Sequence, residues 1–155
     1  MWTIFRRAVL LWLFMFWQGG FLFYSAVVVS IGSDVQGSDF AQGLITRRVA
    51  TALNVTGLAV LLVWILDLVA ERDTRLKRRW MVWFFLMVTL GVLAWLHPQM
   101  DAMIDLEQSR LRDGGLFRHL HRWYLRVSTA QWIASIVFTL WTLQNWRAAD
   151  RNSDS

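Results

Sequence analysis

Four apolar blocks, 8–31, 49–70, 80–96 and 127–143, hold most of the hydrophobic residues of this chain. Each, as a helix, is long enough to cross a hydrocarbon core about 30 Å thick, which takes roughly 17–25 residues. Since 56% of the 155 residues are apolar, with 11 Trp and 10 Phe among them, too little polar surface is left to cover a water-soluble core. The blocks predict an all-α fold: an integral membrane four-helix bundle, one transmembrane domain over 1–149 followed by a short polar tail at 150–155. The first block follows Arg6 and Arg7 as a secretory signal would, but it exceeds the roughly 7–15 apolar residues of a signal core, so it reads as an uncleaved span.

The net charge of +5 does not point to nucleic acid, because all sixteen Lys and Arg lie at block ends or in connections, where they meet lipid headgroups. The lipid bilayer is the expected partner, and association with a second copy or with a partner membrane subunit is left open. Cysteine is absent, so disulfides and thiolate chemistry are excluded.

Orientation follows from ERDTRLKRR between the second and third blocks, where Arg72, Arg75, Lys77, Arg78 and Arg79 crowd a short connection that should stay cytoplasmic. With both termini on that side, nine basic residues lie inside and seven outside. Trp2, Trp64, Trp80, Trp83, Trp141 and Trp146 then fall near the inner face, and Trp95 and Trp123 near the outer, as two aromatic belts.

The third span is expected to stop at HPQ, because proline disfavours helix in the residue before it and suits the first turn of a new helix. A short amphipathic helix over 98–112, with Met100, Met103 and Ile104 on its apolar side, is expected between the third and fourth spans. The last helix should begin near Leu116 and continue unbroken into the membrane, and the tail after Ala149 should fray.

Inside a bilayer the informative residues are the polar ones. At about 100° per residue, His121, Ser128, Gln131, Ser135, Thr139 and Thr142 share one face of the fourth helix, and Arg47, Thr51 and Asn54 share one face of the second. Asp67, near the inner end, needs a partner across helices, with Arg6, Arg7 and Arg79 as candidates. An outer polar cluster of Tyr24, Arg47 or Arg48, Asn54, His121, Ser128 and Gln131 is the candidate site. It serves either as hydrogen-bonding glue between helices or as a place for a small solute. In FWQGGFLFY, Gln18 belongs to the same polar interior, and Gly19 and Gly20 are read as a packing notch that lets the first helix approach the fourth.

A metal- or haem-binding protein using His97 and His121 on the outer side is the rival reading, since His97, Met100 and Met103 are spaced as soft-metal ligands can be. The cofactor is unknown and none is predicted. No nucleophile with its base, paired carboxylates or phosphate-cradling loop occurs, so no enzymatic reaction is indicated.

Four stretches together, WQGGFLFY, TRRVATALN, the HP that ends the third block, and FRHLHRWY, resemble the transmembrane protein 205-like family of small four-helix membrane proteins. The resemblance covers nearly the whole chain. It matches the family's phenylalanine and following histidine to Phe117 and His121, its small polar position to Ser128, its small-residue notch to Gly19 and Gly20, and its proline to Pro98. Tyr124 stands where a small polar residue is expected. The resemblance implies a four-helix integral membrane protein with no established reaction.

Overall fold

The computed structural model describes residues 1–70, 76–105 and 110–153. It is all-α apart from one two-residue antiparallel pairing. Helix α1 (Trp2–Phe23) passes through a π-helical turn at Tyr24–Val28 into α2 (Val29–Gln36), and the three form one continuous rod. The Ser25 hydroxyl donates to the carbonyls of Phe21 (2.8 Å) and Leu22 (3.2 Å), and Val29 N–H reaches five residues back to Tyr24 O. Side-chain competition for backbone carbonyls is a recognised cause of such local widening. Gly37, at φ 61° in the left-handed region, ends the rod, and α3 (Asp39–Ala70) returns beside it. Helix α4 (Leu76–Asp101) packs on α3, and α5 (Gly114–Ser153) packs on α4.

Three helices, Trp2–Gln36, Phe40–Ala70 and Leu76–Asp101, are long and apolar enough to cross a membrane. The last helix is not among them; its buried side mixes Ser128, Gln131, Ser135, Thr142 and Asn145 with Phe138 and Trp146. Phe138 joins a core with Leu10, Phe14, Trp17, Leu61, Trp64 and Leu86 of the other helices. Phe14, Trp64 and Phe138 lie mutually edge-on or tilted at centroid distances of 5.0–5.8 Å, which ties α1, α3 and α5 together at mid-height.

Three expectations are corrected. The helix over 98–112 does not form: α4 continues through Pro98 to Asp101, after which β1 (Ile104–Asp105) pairs antiparallel with β2 (Arg110–Leu111), and 106–109 lie outside the described residues. Proline removes only one N–H from the helix, and the imidazole of His97, the residue it disfavours, is held at both ring nitrogens, by Asp101 at 3.1 Å and the Arg47 carbonyl at 3.0 Å. The tail does not fray after Ala149 either, since α5 runs to Ser153 with the Asp150 carboxylate accepting two 2.8 Å hydrogen bonds from Arg7. Trp64 and Trp146 are no belt residues: both are buried, stacked on each other 6° from parallel.

The packing notch also lies elsewhere. A side chain on Gly19 would meet nothing, and one on Gly20 would make only ordinary contact with Leu53, at 3.5 Å. At Gly57 of α3, by contrast, a Cβ would overlap the Trp17 indole. The close approach of the first helix is therefore to α3, where a large flat side chain rather than a second backbone fills the space a glycine leaves.

Candidate functional site

Polar side chains gather at the two ends of the bundle. At the end holding the termini, Asp67 of α3 is fully buried and three different helices converge on it. Arg79 of α4 donates from Nη2 at 2.6 Å, Arg6 of α1 pairs at 3.1 Å, and the Trp146 indole N–H of α5 donates at 3.2 Å. Arg79 is itself buried and lies 6.0 Å from the Phe138 ring. Arg7 takes Asp150 and lies over Trp146 at 5.1 Å. A carboxylate out of water needs this many charge-assisted donors to offset its desolvation.

At the other end burial is uneven: Arg47, Asn54, Asp101 and Tyr124 are half-buried, Thr51 is exposed and His97 is buried. Arg47 Nε lies 2.9 Å from Asp101 Oδ2, which also meets His97 Nδ1, and Thr51 donates to the Arg47 carbonyl at 3.1 Å with its hydroxyl 3.5 Å from His97 Nε2. Tyr124 of α5 packs edge-on to His97 and hydrogen-bonds the Asn54 side chain, while burial pushes its phenol above the usual range near 10. Helices α3, α4 and α5 each contribute, so this site exists only in the assembled bundle.

No family model, curated protein or solved structure matches the chain. The arrangement of its side chains is thus the basis for any reading.

Of the expected cluster, Arg47 and Asn54 do come together, joined by Thr51, Tyr124, His97 and Asp101. Tyr24 lies apart, donating to Thr46 Oγ1 at 3.0 Å and accepting from the buried Gln42 amide at 3.3 Å. Arg48 is exposed. Gln131 is buried and donates to Thr89 of α4 at 3.3 Å, not to the first helix. Ser128 is buried with no hydrogen-bond partner for its hydroxyl among the described residues, and the same holds for the Gln18 amide nitrogen. Gln18 therefore faces protein as expected but without the partner on the fourth helix that its position suggested.

His121 does not join the cluster. Its ring lies parallel to that of Phe117, one turn earlier at 6.0 Å, and desolvation lowers its pKa from the ordinary 6.5. His97 and His121 share no partner, and among the described residues no group of three His, Cys, Asp or Glu is placed to hold a metal ion. Both ring nitrogens of His97 face oxygens, Nδ1 at 3.1 Å from Asp101 and Nε2 at 3.0 Å from the Arg47 carbonyl, so a metal ion at either would have to move that oxygen aside.

Asp101, Thr89 and Trp146 escaped the sequence reading. By sequence Asp101 falls on the water side of a surface helix that does not form. Thr89 sits alone in an apolar run, and Trp146 looked like a belt residue. The (i, i+4) spacing of His97 and Asp101 was the one signal that could have found the first of them.

Proposed function

We propose that the chain is a multi-pass integral membrane protein of four helices with both termini cytoplasmic. In this reading the polar interior holds the bundle together, and the cluster of Arg47, Thr51, Asn54, His97, Asp101 and Tyr124 is where a small polar solute binds. One observation carries the reading: the polarity of the molecule is inverted relative to a water-soluble protein. Trp12, Phe16, Leu66, Val69, Phe84 and Leu140 are exposed, while Asp67, Arg79, Thr89, Gln131, Ser135, Thr142 and Asn145 are buried. Large contiguous apolar surface outside and paired charge inside suit a hydrocarbon solvent.

The outward side of α5 supports a fourth crossing despite the polarity of its inner side. At steps of three and four residues that side reads Thr129, Ile133, Ile136, Leu140 and Leu143, all exposed. Membership of the transmembrane protein 205-like family belongs to the same reading and rests on the stretches given above.

Membrane integration is tested by alkaline carbonate extraction, which should leave the protein in the pellet. Reporter fusions after Ala149 and within 72–79 should score cytoplasmic and one within 32–43 should score on the opposite side; the reverse pattern inverts the orientation. For the solute, mass spectrometry of ligands co-purifying with the chain should find a small polar species lost on Arg47→Gln. Equal recovery from both proteins leaves the cluster with a purely structural role.

A further inference from the structure

The outward line of α5 continues at both ends. Towards the start of the helix it becomes Arg126, Arg122 and Arg118, and towards the finish Arg147 and Arg151, again at helical steps and all exposed. From Arg126 to Arg147 is 21 residues, or about 31 Å at 1.5 Å per residue, which matches a hydrocarbon core of about 30 Å. On the same scale Arg122 lies about 6 Å beyond Arg126, within a headgroup layer roughly 5–8 Å deep, and Arg118 about 12 Å beyond it, past the layer's outer edge, from where its long side chain reaches back to the phosphates.

Arg118, Arg122 and Arg126 stay exposed in the presence of all the described residues. Among the described residues no carboxylate pairs with any of the three arginines, and the Asp113 carboxylate is occupied in capping the helix, accepting from the N–H groups of Gly115 and Leu116 at 2.9 Å. Arg126 is held 5.2 Å over the ring of Trp123, whose indole N–H donates to His119 at 3.2 Å. Trp123 and Leu125 are themselves exposed, so aromatic and aliphatic surface flanks the guanidinium groups where acyl chains meet headgroups.

We propose that Arg118, Arg122 and Arg126 form a binding site for the phosphate of an anionic phospholipid in the leaflet opposite the termini. The inference rests on α5 crossing the membrane. The occupant follows from continuity: the face that carries the arginines is, a few residues on, the face turned to acyl chains, so what reaches the arginines is the headgroups of the same lipids. Guanidinium groups bind phosphate in a two-pronged fashion, and three with no competing carboxylate favour a headgroup with net negative charge over a zwitterionic one.

The test uses the full chain in detergent, with native mass spectrometry reading the apparent affinity for phosphatidylglycerol against phosphatidylcholine. The wild type should prefer phosphatidylglycerol. Each Arg→Gln change should weaken that binding about fivefold, and the triple variant R118Q/R122Q/R126Q roughly a hundredfold, with phosphatidylcholine binding little altered. A control that removes three exposed charges elsewhere, R48Q/K77Q/R78Q, should keep most of the preference. Equal losses in the two triples would overturn the site in favour of diffuse surface charge, and displacement of the lipid by glycerol 3-phosphate would overturn it in favour of a free-phosphate site. If the triple variant does not fold, R122Q alone decides by the presence or absence of its fivefold effect. Release of the wild type by alkaline carbonate would instead refute the membrane reading; a pelleted protein without lipid preference refutes only this inference.

Discussion

The two polar ends of the bundle use the same chemistry, an aspartate held by arginine and an aromatic neighbour, yet differ in depth. Asp67 and Arg79 are 0% and 1% exposed at their side chains, whereas Arg47 and Asp101 are 40% and 20% exposed. Depth changes what each pair does. In water's reach, solvation and salt compete with the ion pair and its net value is small. Away from water, the pair contributes little beyond what a well-packed apolar pair would, but neither partner tolerates losing the other. The Asp67 network is therefore a constraint on helix arrangement, since one carboxylate fixes α1, α4 and α5 against α3. The cluster at the other end can be rearranged at low cost, as the proposed solute site would require.

The sharpest way to break this contrast is Asp67→Asn. It leaves Arg79 buried without a counter-charge and should cost about 3–5 kcal/mol, read as a fall in thermal stability in detergent. The double change Asp67→Leu with Arg79→Leu should cost clearly less than the single. If it costs more, the pair is stabilising in its own right despite its desolvation. Gly57→Ala comes next, because the added methyl would drive into the Trp17 indole. A loss of about 1–3 kcal/mol is expected, while Gly19→Ala, with open space around it, should be neutral or slightly stabilising. Similar losses at both glycines would return the notch to the first helix.

At the end away from the termini Asp101→Asn should cost less than about 1 kcal/mol, since Asp101 and its partner Arg47 remain partly solvated. A loss matching that of Asp67→Asn would erase the distinction between the two ends. The smallest effect belongs to His121. Its folded pKa is lowered, so the unfolded chain binds the proton more readily and stability declines as pH falls below about 6.5 towards the folded value. His121→Gln should flatten that part of the pH–stability curve relative to wild type. An unchanged slope assigns the pH dependence to other groups.

The residues that announced themselves in the sequence were those whose role follows from solvent alone. Four apolar blocks can be satisfied only as helices, and the helical steps of Ser128, Gln131, Ser135 and Thr142 set them on one side wherever α5 lay. Asp67 in an apolar run had to find an arginine, and Arg6 and Arg79 were already visible as two of three candidates; Arg7 instead went to Asp150, a residue too far along the chain for local spacing to nominate. Which helix meets which was not legible. Whether Gly20 or Gly57 takes the close approach depends on where the Trp17 indole turns, and that is fixed by packing. Pro98 looked like a terminator because a local rule applies to it. The helix continues with the His97 ring set between two acceptors, the Asp101 carboxylate and the Arg47 carbonyl, the latter fifty residues away in sequence. Sequence alone thus determined what must leave water or stay near it, since transfer free energy is a property of each side chain. The tertiary structure decided the pairings, because a hydrogen bond or a filled notch depends on two segments at once and on distances of a few tenths of an ångström.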